Sequence, residues 1–185
     1  MIKIFDNISP TLIKSIYYAV LQENKWSFSY PPAFDFHDRF AKMDIISIDK
    51  TAPILSGLAV GLLSVLYDSD ETKYFDPSFI AYCGVSLKDK GLGEDNLHVD
   101  HSPEMEAVNP HNKDLPYDPT KLIKLVGVLN PDWTKEDGGT FQCGGEEVEM
   151  KPGRFVLFNP RELHRAGNIL GDKKRIAIDL AVNPI

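Results

Sequence analysis

From residue 79 onward the chain falls into short β-forming runs divided by glycine, proline and asparagine turn signals, and this rhythm constrains the fold more than any other feature. Residues 79–87 are rich in β-formers. Residues 121–129 alternate, which places Lys124, Val126 and Val128 on one face and Ile123, Leu125 and Leu129 on the other. Asp137-Gly138-Gly139 turns into 140–143, and Gly144-Gly145 turns again into the alternating 147–150. Lys151-Pro152-Gly153 precedes 155–158, Asn159-Pro160 ends that run, and 175–182 forms the last strand. Short strands at near-regular spacing after a helical block predict a mostly β chain with flanking helices, arranged as an antiparallel jelly roll.

The first third reads as helical. Ser9-Pro10 sets an N-cap residue before a proline at the first helical position. Leu12, Ile13, Ile16, Tyr17, Val20 and Leu21 then follow the 3.6-residue period. A second helix is expected over 54–67, with Leu55, Leu58, Leu62, Val65 and Leu66 as its buried stripe. The aromatic, proline-containing segment 26–40 shows neither period. Residues 102–120 hold four prolines and few apolar side chains, so they read as a long loop at the mouth of a site. The expected organisation is one domain over 1–185, with 1–75 an accessory helical segment and 76–185 the β core.

Composition narrows the classes of function. A net charge of −7 disfavours a nucleic-acid backbone as partner, because phosphate contacts need clustered Lys and Arg. The longest apolar stretch, 54–66, carries Ser and Gly and is too short for a membrane span. The N-terminus lacks the apolar core of a signal peptide, and Cys83 and Cys143 make neither a disulfide framework nor a zinc knuckle. A cytoplasmic protein is the simplest expectation.

The residues that carry chemistry begin with His98-Val99-Asp100. In a strand, His98 and Asp100 point to one side, so both can reach one metal ion, with His164 arriving from a distant strand. Two imidazoles and one carboxylate on one face of Fe(II) form the ligand set of non-haem iron oxygenases. An isolated H-x-D arises by chance in an acidic chain, and the downstream context is what gives this one weight. His101 points away from His98 if the strand continues, His111 sits in the proline-rich loop, and His37 has no partner nearby in sequence. Oxygenases of this type commonly take an α-keto acid, whose far carboxylate suits the forked geometry of an arginine. Arg175, alternating with Ala177 and Asp179 on the last strand, is the candidate anchor, with Lys124 as a second cation that could replace or assist it.

The set Leu97-His98-Val99-Asp100, Leu129-Asn130-Pro131-Asp132-Trp133, Asp137-Gly138-Gly139, Lys151-Pro152-Gly153-Arg154-Phe155-Val156-Leu157-Phe158 and His164 resembles the Fe(II)/2-oxoglutarate-dependent dioxygenases. Within them it is most similar to the prolyl-4-hydroxylase-like branch, over about residues 79–182. The resemblance implies a double-stranded β-helix, cupin-like, with His98, Asp100 and His164 as metal ligands. It implies Arg175 at the distal carboxylate of 2-oxoglutarate and Tyr82 near the cosubstrate. The implied reaction is hydroxylation of a C–H bond on an amino-acid-type substrate, with O2 consumed and succinate and CO2 released; ascorbate is an accessory reductant compatible with it. The substrate is then a small molecule or a peptide, a prolyl residue being the first candidate, with no nucleic acid or membrane partner; no dimer interface is legible. Two departures stand out. Val128 takes the place of a frequent tyrosine, and Ala177 and Asp179 replace the hydroxylated residue that often follows the basic anchor. Asp179 would pair with Arg175 or Lys124. Two rivals keep the fold: a cupin-like metal enzyme that does not use 2-oxoglutarate, and a binding domain without turnover.

Overall fold

Among the described residues, alternation of apolar side chains along nine strands builds two antiparallel sheets. The computed structural model describes residues 2–23, 40–46, 53–90, 96–100 and 117–185, with the backbone alone for 40–42. In chain order the elements are β1 (Lys3–Phe5), α1 (Pro10–Gln22), β2 (Phe40–Ile46), α2 (Pro53–Asp68), β3 (Phe75–Lys88), β4 (Ile123–Val128), β5 (Phe141–Cys143), β6 (Glu146–Val148), β7 (Phe155–Phe158), β8 (His164–Ala166) and β9 (Arg175–Pro184). The larger sheet has the order β1-β7-β4-β9-β3-β2 and the smaller β6-β5-β8. A single antiparallel bridge between His98 and His164 extends the smaller sheet. This is the expected double-stranded β-helix with two helices packed on one side.

The period of two sorts each strand between two cores. Phe155 and Leu157 of β7, Leu125 of β4, and Ile176, Ile178, Leu180 and Val182 of β9 join the core that the larger sheet shares with α1 and α2. Val156 and Phe158, offset by one position, meet Val128, Trp133, Phe141, Cys143, Val148 and Met150 between the sheets. The expected division of β4 into Val126/Val128 and Ile123/Leu125 faces matches this arrangement. Arg175, Ala177 and Asp179 accordingly share the β9 face that looks toward the smaller sheet.

Both helices form where the period of 3.6 places them. Pro10 occupies the first turn of α1, where its missing N–H is no loss, while the Ser9 side chain makes no cap bond. Ile13, Ile16 and Val20 are buried, and Leu21 stays half exposed. On α2 the buried stripe is Leu55, Ala59, Leu62, Leu63 and Leu66; Val65 faces outward, because the helix turns Leu63 rather than Val65 toward the sheet. The first third also supplies two strands, β1 and β2, to the edges of the larger sheet. They are too short, or too mixed in composition, for alternation to announce them. Among the described residues no helix is long and apolar enough to cross a membrane.

Turn chemistry follows the glycine signals. Gly144 and Gly145, both at positive φ, link Cys143 to its partner Glu146 as a two-residue hairpin turn. At the Asp137-Gly138-Gly139 turn, Asp137 Oδ2 accepts from the Thr134 backbone (2.8 Å) and hydroxyl (3.1 Å) and from Lys173 Nζ (2.9 Å).

The edge strand β1 is clamped by charge. Arg154, just before β7, donates Nε and Nη2 to the two oxygens of Asp6, just after β1, at 2.7 and 2.9 Å. These bonds hold the Asp6 carboxyl below its ordinary value despite some opposing desolvation. The stabilisation is therefore complete above the unfolded carboxylate pKa of about 3.9 and is lost as pH falls through the lower folded value. Asp6→Asn is expected to lower stability by roughly 0.5–1 kcal/mol at neutral pH, discounted for partial exposure. In urea melts the gap between the two proteins should close below about pH 4.

Candidate metal centre

Backbone pairing brings the three predicted ligands together. The His98 N–H donates to the His164 carbonyl at 3.1 Å, and the His164 N–H returns the bond at 2.9 Å. The Asp100 N–H donates to the Pro160 carbonyl at 2.9 Å, which fixes the turn that carries the carboxylate. One ligand atom from each of His98, Asp100 and His164 then lies within 4.8 Å of the others, the one such cluster of three among the described residues.

The imidazole tautomers follow from what surrounds them. His98 Nδ1 lies 2.7 Å from the Asn96 carbonyl and His164 Nδ1 lies 2.8 Å from the Glu162 carbonyl. A carbonyl only accepts, so each Nδ1 carries the hydrogen and each neutral ring presents a lone pair at Nε2. Those two nitrogens stand 3.4 and 3.5 Å from the same oxygen, Oδ1 of Asp100. With both rings neutral, three electron-pair donors converge, an arrangement that suits a divalent cation. Phe158 and Phe141 pack beside the His164 ring at centroid distances of 4.8 and 6.1 Å and restrict its rotation. The site is graded in depth: the His164 side chain is 6% exposed, Asp100 21% and His98 46%.

Lys124 joins this cluster instead of standing apart as a free anchor. Its Nζ lies 2.8 Å from Asp100 Oδ2 and 2.9 Å from Asp179 Oδ2. Burial works to depress the ammonium, yet Asp179 and Asp100 outweigh it and hold Lys124 above its ordinary value. For Asp100, burial works upward, and the facing His164 and His98 rings, when they carry a proton at Nε2, act with Lys124 to hold the carboxyl far below the usual range. Tyr82 lies over Gly84 and donates its hydroxyl to Asp44 at 3.1 Å. Burial, with Asp179 and Asp44 near, pushes that hydroxyl well above its ordinary value.

Arg175 sits deeper along the inner face. It is 7% exposed, and its guanidinium lies against Gly139, where the Trp133 ring also approaches. Glycine suits this approach, since a Cβ at Gly139 would stand a tight 3.3 Å from both Arg175 Nη1 and the Trp133 ring, and φ there is positive. Two residues in this region escaped the sequence reading. Asn130, buried, accepts the Ile176 N–H at Oδ1 (2.7 Å) and donates Nδ2 to the Lys174 carbonyl (2.8 Å), so it grips the backbone on both sides of Arg175. Lys88, 2% exposed, is paired directly opposite Arg175 across β3 and β9. Lys88 lies one residue past the 79–87 run, in step with Tyr82, Gly84 and Ser86 at the strand period of two. His37, His101, His111 and all but the end of the 102–120 loop lie outside the described residues.

No protein-family model matches the sequence, and no curated protein matches it. Solved structures do match in shape. A prolyl-4-hydroxylase from Pseudomonas putida superposes with a TM-score of 0.60 at 14% identity, over 98% of this chain and 92% of that one. A prolyl hydroxylase from Trichoplax adhaerens, in complex with a hypoxia inducible factor peptide fragment, gives 0.59 at 16% identity, over 98% and 83%. HygX from Streptomyces hygroscopicus, with nickel and 2-oxoglutarate bound, gives 0.60 at 12% identity, over 99% and 82%. At these identities the likeness establishes the fold: the chain is a jelly roll of the kind built by the prolyl-4-hydroxylase-like oxygenases.

Proposed function

We propose that the chain is an Fe(II)- and 2-oxoglutarate-dependent oxygenase that hydroxylates a C–H bond of an amino-acid-type substrate, a prolyl residue being the first candidate. The observation that carries this reading is the convergence of His98 Nε2, His164 Nε2 and Asp100 Oδ1, with both imidazole tautomers fixed by backbone carbonyls. Shape neighbours that hold nickel with 2-oxoglutarate, or a peptide, support it.

Each residue has a part that follows from its position. His98, Asp100 and His164 would hold the metal on one side and leave the other to cosubstrate and oxygen. Arg175 is the cation for the distal carboxylate, deep between the sheets, and Asn130 sets its depth by fixing the adjoining peptides. Val128 and Ala177, paired across β4 and β9, keep the floor between Arg175 and Lys124 apolar and narrow. The exposed edge of His98 marks the side from which substrate approaches. Fe(II) with 2-oxoglutarate and O2, when bound, would supply the oxidising power to convert C–H to C–OH with release of succinate and CO2; ascorbate would serve only to keep the iron reduced. Buried free thiols at Cys83 and Cys143 fit a reducing, cytoplasmic setting, and burial beside Glu162 pushes the Cys143 thiol up to about 11, which keeps it unreactive at neutral pH.

Anaerobic addition of Fe(II) and then 2-oxoglutarate is expected to raise a weak visible charge-transfer band that His164→Ala abolishes. Fe(II) binding without the band would point to the cupin-like reading or to a metal- or ligand-binding domain without turnover. With aerobic 2-oxoglutarate, succinate release should rise when the right substrate is added, and a screen of prolyl peptides against free amino acids would identify it. Arg175→Leu should raise the KM for 2-oxoglutarate about 10- to 100-fold, the loss expected for a charge-assisted pair of bonds. An unchanged KM would move the anchor elsewhere.

A further inference from the structure

The two oxygens of the Asp100 carboxylate have different partners. Oδ1 faces both histidine Nε2 atoms at 3.4 and 3.5 Å, whereas Oδ2 is bound by Lys124 Nζ at 2.8 Å. Lys124 is held in turn by Asp179 Oδ2 at 2.9 Å, from the neighbouring strand β9. Its side chain is only 14% exposed, so the ammonium has little freedom to leave this position for water. A buried lysine is costly without a counter-charge, and Asp179 offsets that cost even when Asp100 is engaged elsewhere.

We propose that Lys124, locked by Asp179, is a positioning residue that ties down Oδ2 of Asp100, so that the carboxylate meets a metal through Oδ1 alone. The inference rests on the metal-centre reading above and adds a role that the reading does not require. A carboxylate free of Lys124 can swing and bind through both oxygens, as unrestrained aspartates do around hard cations. That second oxygen would fill one of the positions needed by a chelating cosubstrate or by O2. The Lys124–Asp179 pair therefore guards the number of open positions, while Arg175 is left to serve the distal carboxylate. Asp179, which departs from the family pattern, is here the counter-ion that keeps Lys124 charged and in place.

The test uses the full chain and Mn(II) alone, with metal-bound water counted by electron paramagnetic resonance in oxygen-17-enriched water. Lys124→Met should show one bound water fewer than the parent protein. Lys124→Arg, which retains a donor for Oδ2, should keep the parent count. A role limited to charge, or to anchoring cosubstrate, would leave the water count of Lys124→Met unchanged, and that result overturns the proposal. If circular dichroism shows that Lys124→Met does not fold, Lys124→Gln, polar but too short to reach Oδ2, is read in its place with the same expectation. Failure of the parent protein to bind Mn(II) would instead remove the metal-centre reading itself, and this inference with it.

Discussion

Three electron-pair donors facing one another are unfavourable unless something positive joins them, and the backbone here is arranged to hold them in place. The reciprocal bonds between His98 and His164 make the pair part of a sheet, so the histidines cannot separate without breaking strand pairing. The carbonyls of Asn96 and Glu162 then choose the tautomers, and the phenylalanines between the sheets limit the rotation of the inner ring. Such preorganisation matters because a metal gains most from ligands that need not be reordered when it arrives. The core between the sheets supports the centre as much as it supports the fold.

Polar groups on the inner face are ordered in depth. Arg175 and Lys88 lie together at one end, Lys124 and Asp179 near the His98–Asp100–His164 cluster at the other, with Val128 and Ala177 between. Burying this many charges is expensive, and the pairing of Lys124 with two carboxylates shows how part of that cost is offset. Such clusters are poor stabilisers in general, which is why their presence inside a small domain points toward use.

Much of this was legible in sequence because two periods did the work. Alternation in 121–129 and 175–182 separated Lys124, Arg175 and Asp179 from the helix-packed residues, and the structure keeps that division. The H-x-D and the distant His164 converge because a single bridge between His98 and His164 and a bond from Asp100 to the Pro160 turn close the site. What stayed hidden depends on three-dimensional pairing. Nothing in the residues around Asn130 says that its amide spans two peptides of a strand forty-odd positions later in the chain. Lys124 read as a cosubstrate cation because its charge is visible in sequence, while its grip on Asp100 is set by cross-strand geometry. The strands β1 and β2 were missed since each owes its conformation to a partner in the larger sheet and not to its own pattern.

The gradient of exposure across the ligands, from His98 at 46% to His164 at 6%, sets an order of events for ligand exchange. An ion diffusing in from water meets the outer imidazole before the inner one. On departure, the outer bond is the first that solvent can compete for. Loading and loss of a metal held by these three residues would thus be governed by one half-exposed ring, whereas the buried ring would act as the tether from which an ion is recaptured before it escapes. Chelators should accordingly act through the kinetics of the His98 side, and a bulky substrate seated there would slow the exchange by covering the exit.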